Sequence, residues 1–170
     1  MPVYLFKTLA FISFVIFSSA LLSQQDSYNV FQIGRWSLTD ERYSDCWGYT
    51  DNKGREYALI GATHGTAIVN ITDSTNIYPV SFISGPVSNW RDIKTWRNYA
   101  YVTTEGGDGI QIINLTLLPD SAILVATYRR SVDNAHNLFI DEHGFAYVCG
   151  ATNRPSSSHG GLNILDLADP

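Results

Sequence analysis

Three pairs of polar residues recur at matching places in this chain, about one repeat of roughly 45 residues apart: Ser44-Asp45, Arg91-Asp92 and His136-Asn137. Carboxylates, an amide, a guanidinium and an imidazole brought together from separate segments can hold a polar ligand. Asp45, Asp92 and Asn137 supply the oxygen donors that a hard cation such as calcium takes. Trp90 adjoins the second pair and offers a flat apolar face. Glu105, with His64 and Asp108, falls in turns that point to the same side, and Arg129 and Arg130 open the loop before the third pair. The candidate ligand-binding residues are therefore Asp45, Trp90, Arg91, Asp92, Glu105, His136 and Asn137. No catalytic residue stands out: there is no nucleophile elbow, phosphate-binding glycine loop, HExxH or EF-hand spacing.

A structural reading stands beside the chemical one. Asp, Asn and His where a strand begins commonly bond to a neighbour's backbone and hold sheets in register. It is preferred for Asp92 and Asn137 and stands level with ligand binding for Asp45, Arg91 and His136. His64 and His143 read as turn residues beside Gly65 and Gly144.

The elements that must position these residues are strands. Thr66-Ala67-Ile68-Val69-Asn70-Ile71 recurs as Gly109-Ile110-Gln111-Ile112-Ile113-Asn114-Leu115 and as Leu162-Asn163-Ile164-Leu165-Asp166-Leu167. Each copy follows an aromatic-rich strand: Tyr57 to Ile60, Tyr99 to Val102, Phe145 to Val148. Their aromatics, Tyr57, Tyr99, Tyr101, Phe145 and Tyr147, are expected to pack between sheets as core. Asp51-Asn52-Lys53-Gly54 and Asp141-Glu142-His143-Gly144 read as hairpin turns. An all-strand repeat of this length predicts an all-β fold, a β-propeller of four-stranded antiparallel blades. The blades are expected over 44–84, 91–129 and, lacking its outer strand, 136–170, with a loose outer strand over 30–37 that completes a last blade. Three blades cannot close a ring that needs roughly four to eight. The chain therefore reads as the N-terminal part of a longer propeller; the alternative is a short form that assembles with copies of itself.

Residues 1–23 read as a secretory signal peptide: Lys7, an apolar run from Leu9 to Phe17, then small residues at Ser18-Ser19-Ala20, with Ser23 a second cleavage candidate. The apolar run is shorter than the ~20 residues a membrane span needs. Cys46 and Cys149 would then meet an oxidising compartment. They sit in non-neighbouring repeats and are expected as small buried apolar residues, unpaired. Asn70-Ile71-Thr72 and Asn114-Leu115-Thr116 are acceptor sequons at repeated strand ends, open to glycosylation in a eukaryotic host. The composition is 45% apolar and 13% aromatic with a net charge of −5. With no basic run, this argues against a nucleic-acid partner.

The third strands resemble the LVIVD repeat, nearly spelled by Leu162-Asn163-Ile164-Leu165-Asp166. Asp45 to Tyr49, Trp90 to Thr95 and Ala135 to Asp141 are similar to segments of the choice-of-anchor B family of secreted proteins. The resemblance runs from about Tyr43 to Pro170. It implies an extracellular or cell-surface β-propeller whose anchor or sorting tail would lie beyond Pro170, and it supplies no catalytic residues. The function expected is a non-catalytic scaffold that binds an extracellular protein or glycan. One alternative is a metal-assisted hydrolase or lactonase at the channel mouth; another is a structural role in a surface layer or as a spacer.

Overall fold

The computed structural model describes residues 29–156 and 159–168. The signal peptide expected over residues 1–23 lies outside the described residues. The chain divides into two units, residues 1–32 and 33–170. Of the first, only residues 29–32 are described, and they form no regular element.

The second unit is all-β, with no helix among the described residues. Twelve strands form three four-stranded antiparallel sheets. The first sheet takes β1 (Tyr43–Thr50), β2 (Glu56–Ala62), β3 (Gly65–Asn70) and β4 (Tyr78–Ser84) in that order. The second takes β5 (Arg91–Trp96), β6 (Tyr99–Thr104), β7 (Ile110–Asn114) and β8 (Ile123–Tyr128). The third runs β10 (Asn137–Ile140), β11 (Phe145–Asn153), β12 (His159–Asp166), with β9 (Val132–Asn134) pairing the far end of β11. The third sheet thus gains its fourth strand ahead of the repeat, at β9, and β12 has no neighbour on the side where β3 and β7 pair with β4 and β8.

Local chemistry explains the hairpins. Asp51 Oδ1 accepts the Lys53 and Arg55 N–H groups at 2.8 and 3.0 Å, and its other oxygen takes Arg55 Nε at 2.6 Å. Asp141 does the same in the third sheet, accepting His143 N and Phe145 N, both at 2.9 Å, with the Tyr147 hydroxyl on Oδ2. A side-chain oxygen that satisfies two turn donors fixes both the turn and the strand register. The ends of the third strands share another device: Asn70, Asn114 and Asp166 each accept the N–H two residues on, at 3.0, 2.8 and 2.9 Å. The sequon asparagines are therefore strand-end turn formers. Gly109 marks a close approach as well as a positive φ of 83°, since a Cβ there would run into the Tyr128 carbonyl oxygen.

The sheets pack face to face. Tyr57, Leu59 and Ile68 of the first bury against Ile93, Ala100, Val102 and Ile113 of the second. Tyr101 and Ile110 of the second bury against Leu138, Ala146 and Val148 of the third. Hydrogen bonds reinforce the first of these interfaces: Trp47 Nε1 to Thr95 at 3.0 Å, Tyr49 to Asn98 at 3.0 Å, and Ala122 N to Ser81 at 2.8 Å.

Three expectations need correction. The strand expected over 30–37 is not formed: residues 30–38 pair with no strand, and Val30, Phe31 and Ile33 are exposed. The last blade that this strand was expected to complete is not among the three sheets. Cys46 and Cys149 are free but exposed rather than buried. Alternation puts each on an outer sheet face with no sheet against it. Of the repeated aromatics, Tyr57 and Tyr101 are fully buried, while Phe145, on the outer face of the third sheet, is exposed.

Candidate functional site

The three recurring pairs begin β1, β5 and β10, the first strand of each four-strand repeat. Successive residues of a strand face opposite sides, and this separates the candidates into two groups with different partners.

The second members of the first two pairs point to the following sheet. Asp45 Oδ2 accepts Ile93 N–H at 2.9 Å. One repeat later, Asp92 Oδ2 accepts Leu138 N–H at 2.5 Å. Both bonds run from one sheet to a buried backbone donor in the first strand of the next repeat. Ser44 adds a parallel tie, its Oγ accepting Arg91 N–H at 3.1 Å. Asn137 holds the same place in the third sheet, but it is exposed and its side chain makes no hydrogen bond among the described residues.

Lys94 completes this cluster. Its ammonium donates to Asp92 Oδ1 and to the Ile93 carbonyl at 2.9 Å, stands 3.5 Å from Asp45 and lies 4.6 Å over the Trp47 ring. Burial raises the Asp92 carboxyl above its ordinary value, and the neighbouring Asp45 adds to this against the pull of Lys94 and Leu138 N–H. Burial also opposes ionisation of Asp45, but hydrogen bonds from Asp92 and Ile93 N–H and the charge of Lys94 outweigh it, leaving that carboxyl lowered. The Lys94 ammonium therefore lies within ion-pair reach of both Asp45 and Asp92. Sequence reasoning missed Lys94; the usable signal was its position two residues after Asp92, on the same strand face.

The first members of the second and third pairs reach back to the turn between the second and third strands of the preceding sheet. Arg91 does so buried, only 3% exposed. Its Nε donates to Ala62 O at 2.8 Å and its Nη2 to Thr63 O at 3.3 Å and to Pro86 O. Burial lowers its pKa, against the opposing charge of Glu41. His136 does so at the surface, with Nδ1 2.5 Å from Glu105 Oε1.

Trp90 joins His136 and Glu105. Its ring centroid is 6.5 Å from that of His136 at a tilt of 55°, and its carbonyl accepts Glu105 N–H at 3.4 Å. The Ser88 hydroxyl clasps Trp90 on both sides, accepting its N–H at 3.1 Å and donating to its carbonyl at 2.8 Å. The backbone is held, yet the residue is 57% exposed. Of the seven sequence candidates, the structure gathers Trp90, Glu105 and His136 into one exposed patch. Asp45, Arg91 and Asp92 are engaged between sheets.

Asp108 pairs with Arg129 at 2.6 and 2.8 Å on the surface, and His64 pairs with Glu41 at 2.9 Å. A mostly apolar cavity of about 360 Å³ lies between the second and third sheets, lined by Tyr101, Ile112, Tyr128 and Leu165 among others. It is separate from the polar patch. The Tyr101 hydroxyl is buried without a partner.

Among the described residues no helix is long and apolar enough to cross a membrane, and no three or more His, Cys, Asp or Glu side chains are grouped to hold a metal. Comparison with known proteins finds no matching family model, curated protein or solved structure.

Proposed function

We propose that this chain is an exported, non-catalytic binding scaffold of the β-propeller type, and that the patch of Trp90, Glu105 and His136 contacts its ligand, an extracellular protein or glycan. The radial reading is supported by the repeated tie between sheets: Asp45 to Ile93, then Asp92 to Leu138, each the same step from one sheet to the next. Export is supported by the charged, apolar and small-residue pattern of residues 1–23.

The observation that carries the binding reading is the contrast between the two groups. The carboxylates that would serve hydrolysis are committed to backbone N–H groups and Lys94. The exposed tryptophan is held rigid at its backbone and flanked by an imidazole and a carboxylate. Preorganised aromatic area with polar neighbours is what binding surfaces use. The test is a binding screen of the purified protein against immobilised glycans and extracellular proteins, repeated with Trp90→Ala. The expected outcome is a ligand whose affinity falls at least tenfold in Trp90→Ala with the unfolding midpoint unchanged. Turnover of a hydrolase substrate that disappears in Asp92→Ala, with the fold intact, would overturn the proposal.

A further inference from the structure

Two tryptophans of the sheets each hold a cation. Lys94 lies 4.6 Å over the Trp47 ring, with Asp45 and Asp92 beside its ammonium, and Arg97 lies 5.8 Å over the Trp96 ring. An indole face attracts a cation through its quadrupole, and a neighbouring carboxylate adds a second attraction. Trp90 is more exposed than either and carries no cation over its ring among the described residues.

A carboxylate already stands beside it. The Trp90 carbonyl accepts Glu105 N–H one step beyond the Arg91–Thr104 pair of β5 and β6. Residues directly opposite in an antiparallel pair turn their side chains to one face, with Cβ atoms about 4.5–5.5 Å apart. His136 Nδ1 engages Oε1 of Glu105 and leaves Oε2. Arginines of the adjoining loops are committed elsewhere, Arg129 to Asp108 and Arg154 to Asp133. Glu105 thus has no lysine or arginine partner among the described residues. The platform is fixed: Gly106 lies so close to the 86–88 loop that a Cβ there would come within 2.6 Å of the Val87 carbonyl oxygen. Val87 itself is 67% exposed and adds an apolar shoulder.

We infer that the ligand of this patch is a protein that presents an arginine side chain, its guanidinium flat on the Trp90 ring and its edge donating to Glu105. The inference rests on the binding reading proposed above and narrows it. Guanidinium is planar and weakly hydrated, so it stacks on an aromatic face and donates to a carboxylate in its own plane at once. Aromatic and arginine residues are enriched where proteins meet. A glycan is served less well, because its hydroxyls need several polar groups around the ring, and the two present here are bonded to each other.

The test follows the Trp90 indole N–H resonance of the purified protein, assigned by its loss in Trp90→Phe. Three probes are titrated: acetyl-Gly-Arg-Gly-amide, its neutral citrulline twin, and maltotriose. The arginine peptide should shift the resonance saturably, and the citrulline twin should bind roughly three- to thirtyfold more weakly. Glu105→Gln keeps an oxygen for His136 and removes only the charge; it should weaken the arginine peptide about two- to fivefold and leave the twin unchanged. Equal binding of the two peptides, no shift by the arginine peptide, or a shift by maltotriose alone overturns the inference. A ligand from the screen above that needs Trp90 but binds Glu105→Gln undiminished also overturns it, and leaves the binding reading standing. A screen with no ligand dependent on Trp90 removes both.

Discussion

Asp92 offers the sharpest test of how the sheets are held together. Asp92→Ala removes the acceptor of Leu138 N–H, at a residue 1% exposed. An orphaned buried donor costs about 1–3 kcal/mol. The same change takes from Lys94 its nearest carboxylate and leaves only Asp45, at 3.5 Å. Breaking a buried ion pair costs about 3–5 kcal/mol, but the Lys94 side chain keeps 15% of its exposure and can turn toward water, so the lower end applies. The two losses share one side chain and are not additive. A net destabilisation of about 3 kcal/mol is expected. Asp92→Asn keeps an oxygen for Leu138 N–H and loses only the charge, and it should cost about 1 kcal/mol. Urea unfolding followed by tryptophan fluorescence reads both, as shifts of midpoint at constant slope. If Asp92→Ala falls within about 0.5 kcal/mol of the unsubstituted protein, or if both variants lose equally, the inter-sheet role assigned to this carboxylate is wrong.

Three other outcomes follow from the same geometry. Tyr101→Phe should raise stability by about 1 kcal/mol in urea unfolding, because its buried hydroxyl has no partner to lose. Gly109→Ala should cost at least about 2 kcal/mol by the same measurement, since its φ of 83° and the Tyr128 carbonyl both exclude a side chain. Burial opposes ionisation of Asp51, but the Arg55 and Lys53 hydrogen bonds win and hold its carboxyl at about 2. Its stabilisation is therefore complete above the ordinary carboxylate value of 3.8 and lost as pH falls through about 2. The gap in melting temperature between the protein and Asp51→Asn should be open at pH 5 and narrow toward pH 2.

Much of the fold was legible because it is local. Alternating apolar residues set the strands, and Asp51-Asn52-Lys53-Gly54 and Asp141-Glu142-His143-Gly144 set two hairpins, so strands in all three sheets fall within a few residues of the expected bounds. What failed depended on neighbours. Cys46 and Cys149 have the residue type of a core but lie on faces without a sheet against them. Residues 30–37 have the pattern of a strand, but the last blade they were expected to complete is not among the three sheets. The short β9 has no counterpart in the other repeats, so periodicity gave no hint of it.

The three polar pairs show the same division more finely. Periodicity made Ser44-Asp45, Arg91-Asp92 and His136-Asn137 look like one constellation, because it compares repeats and ignores which way each side chain points. Strand alternation separates them. Positions 45 and 92 reach forward and serve the backbone of the next sheet, a task that needs an acceptor at that place and accounts for Asp, Asp and Asn in the three copies. Positions 91 and 136 reach back to the turn of the preceding sheet, where the partner is a row of carbonyls in one case and the Glu105 carboxylate in the other. The first task constrains the residue type; the second is met by Arg in one copy and His in another. Ligand specificity in such a repeat belongs at the position free to vary, so His136 and its neighbours Trp90 and Glu105, rather than the aspartates, are where a ligand should be sought.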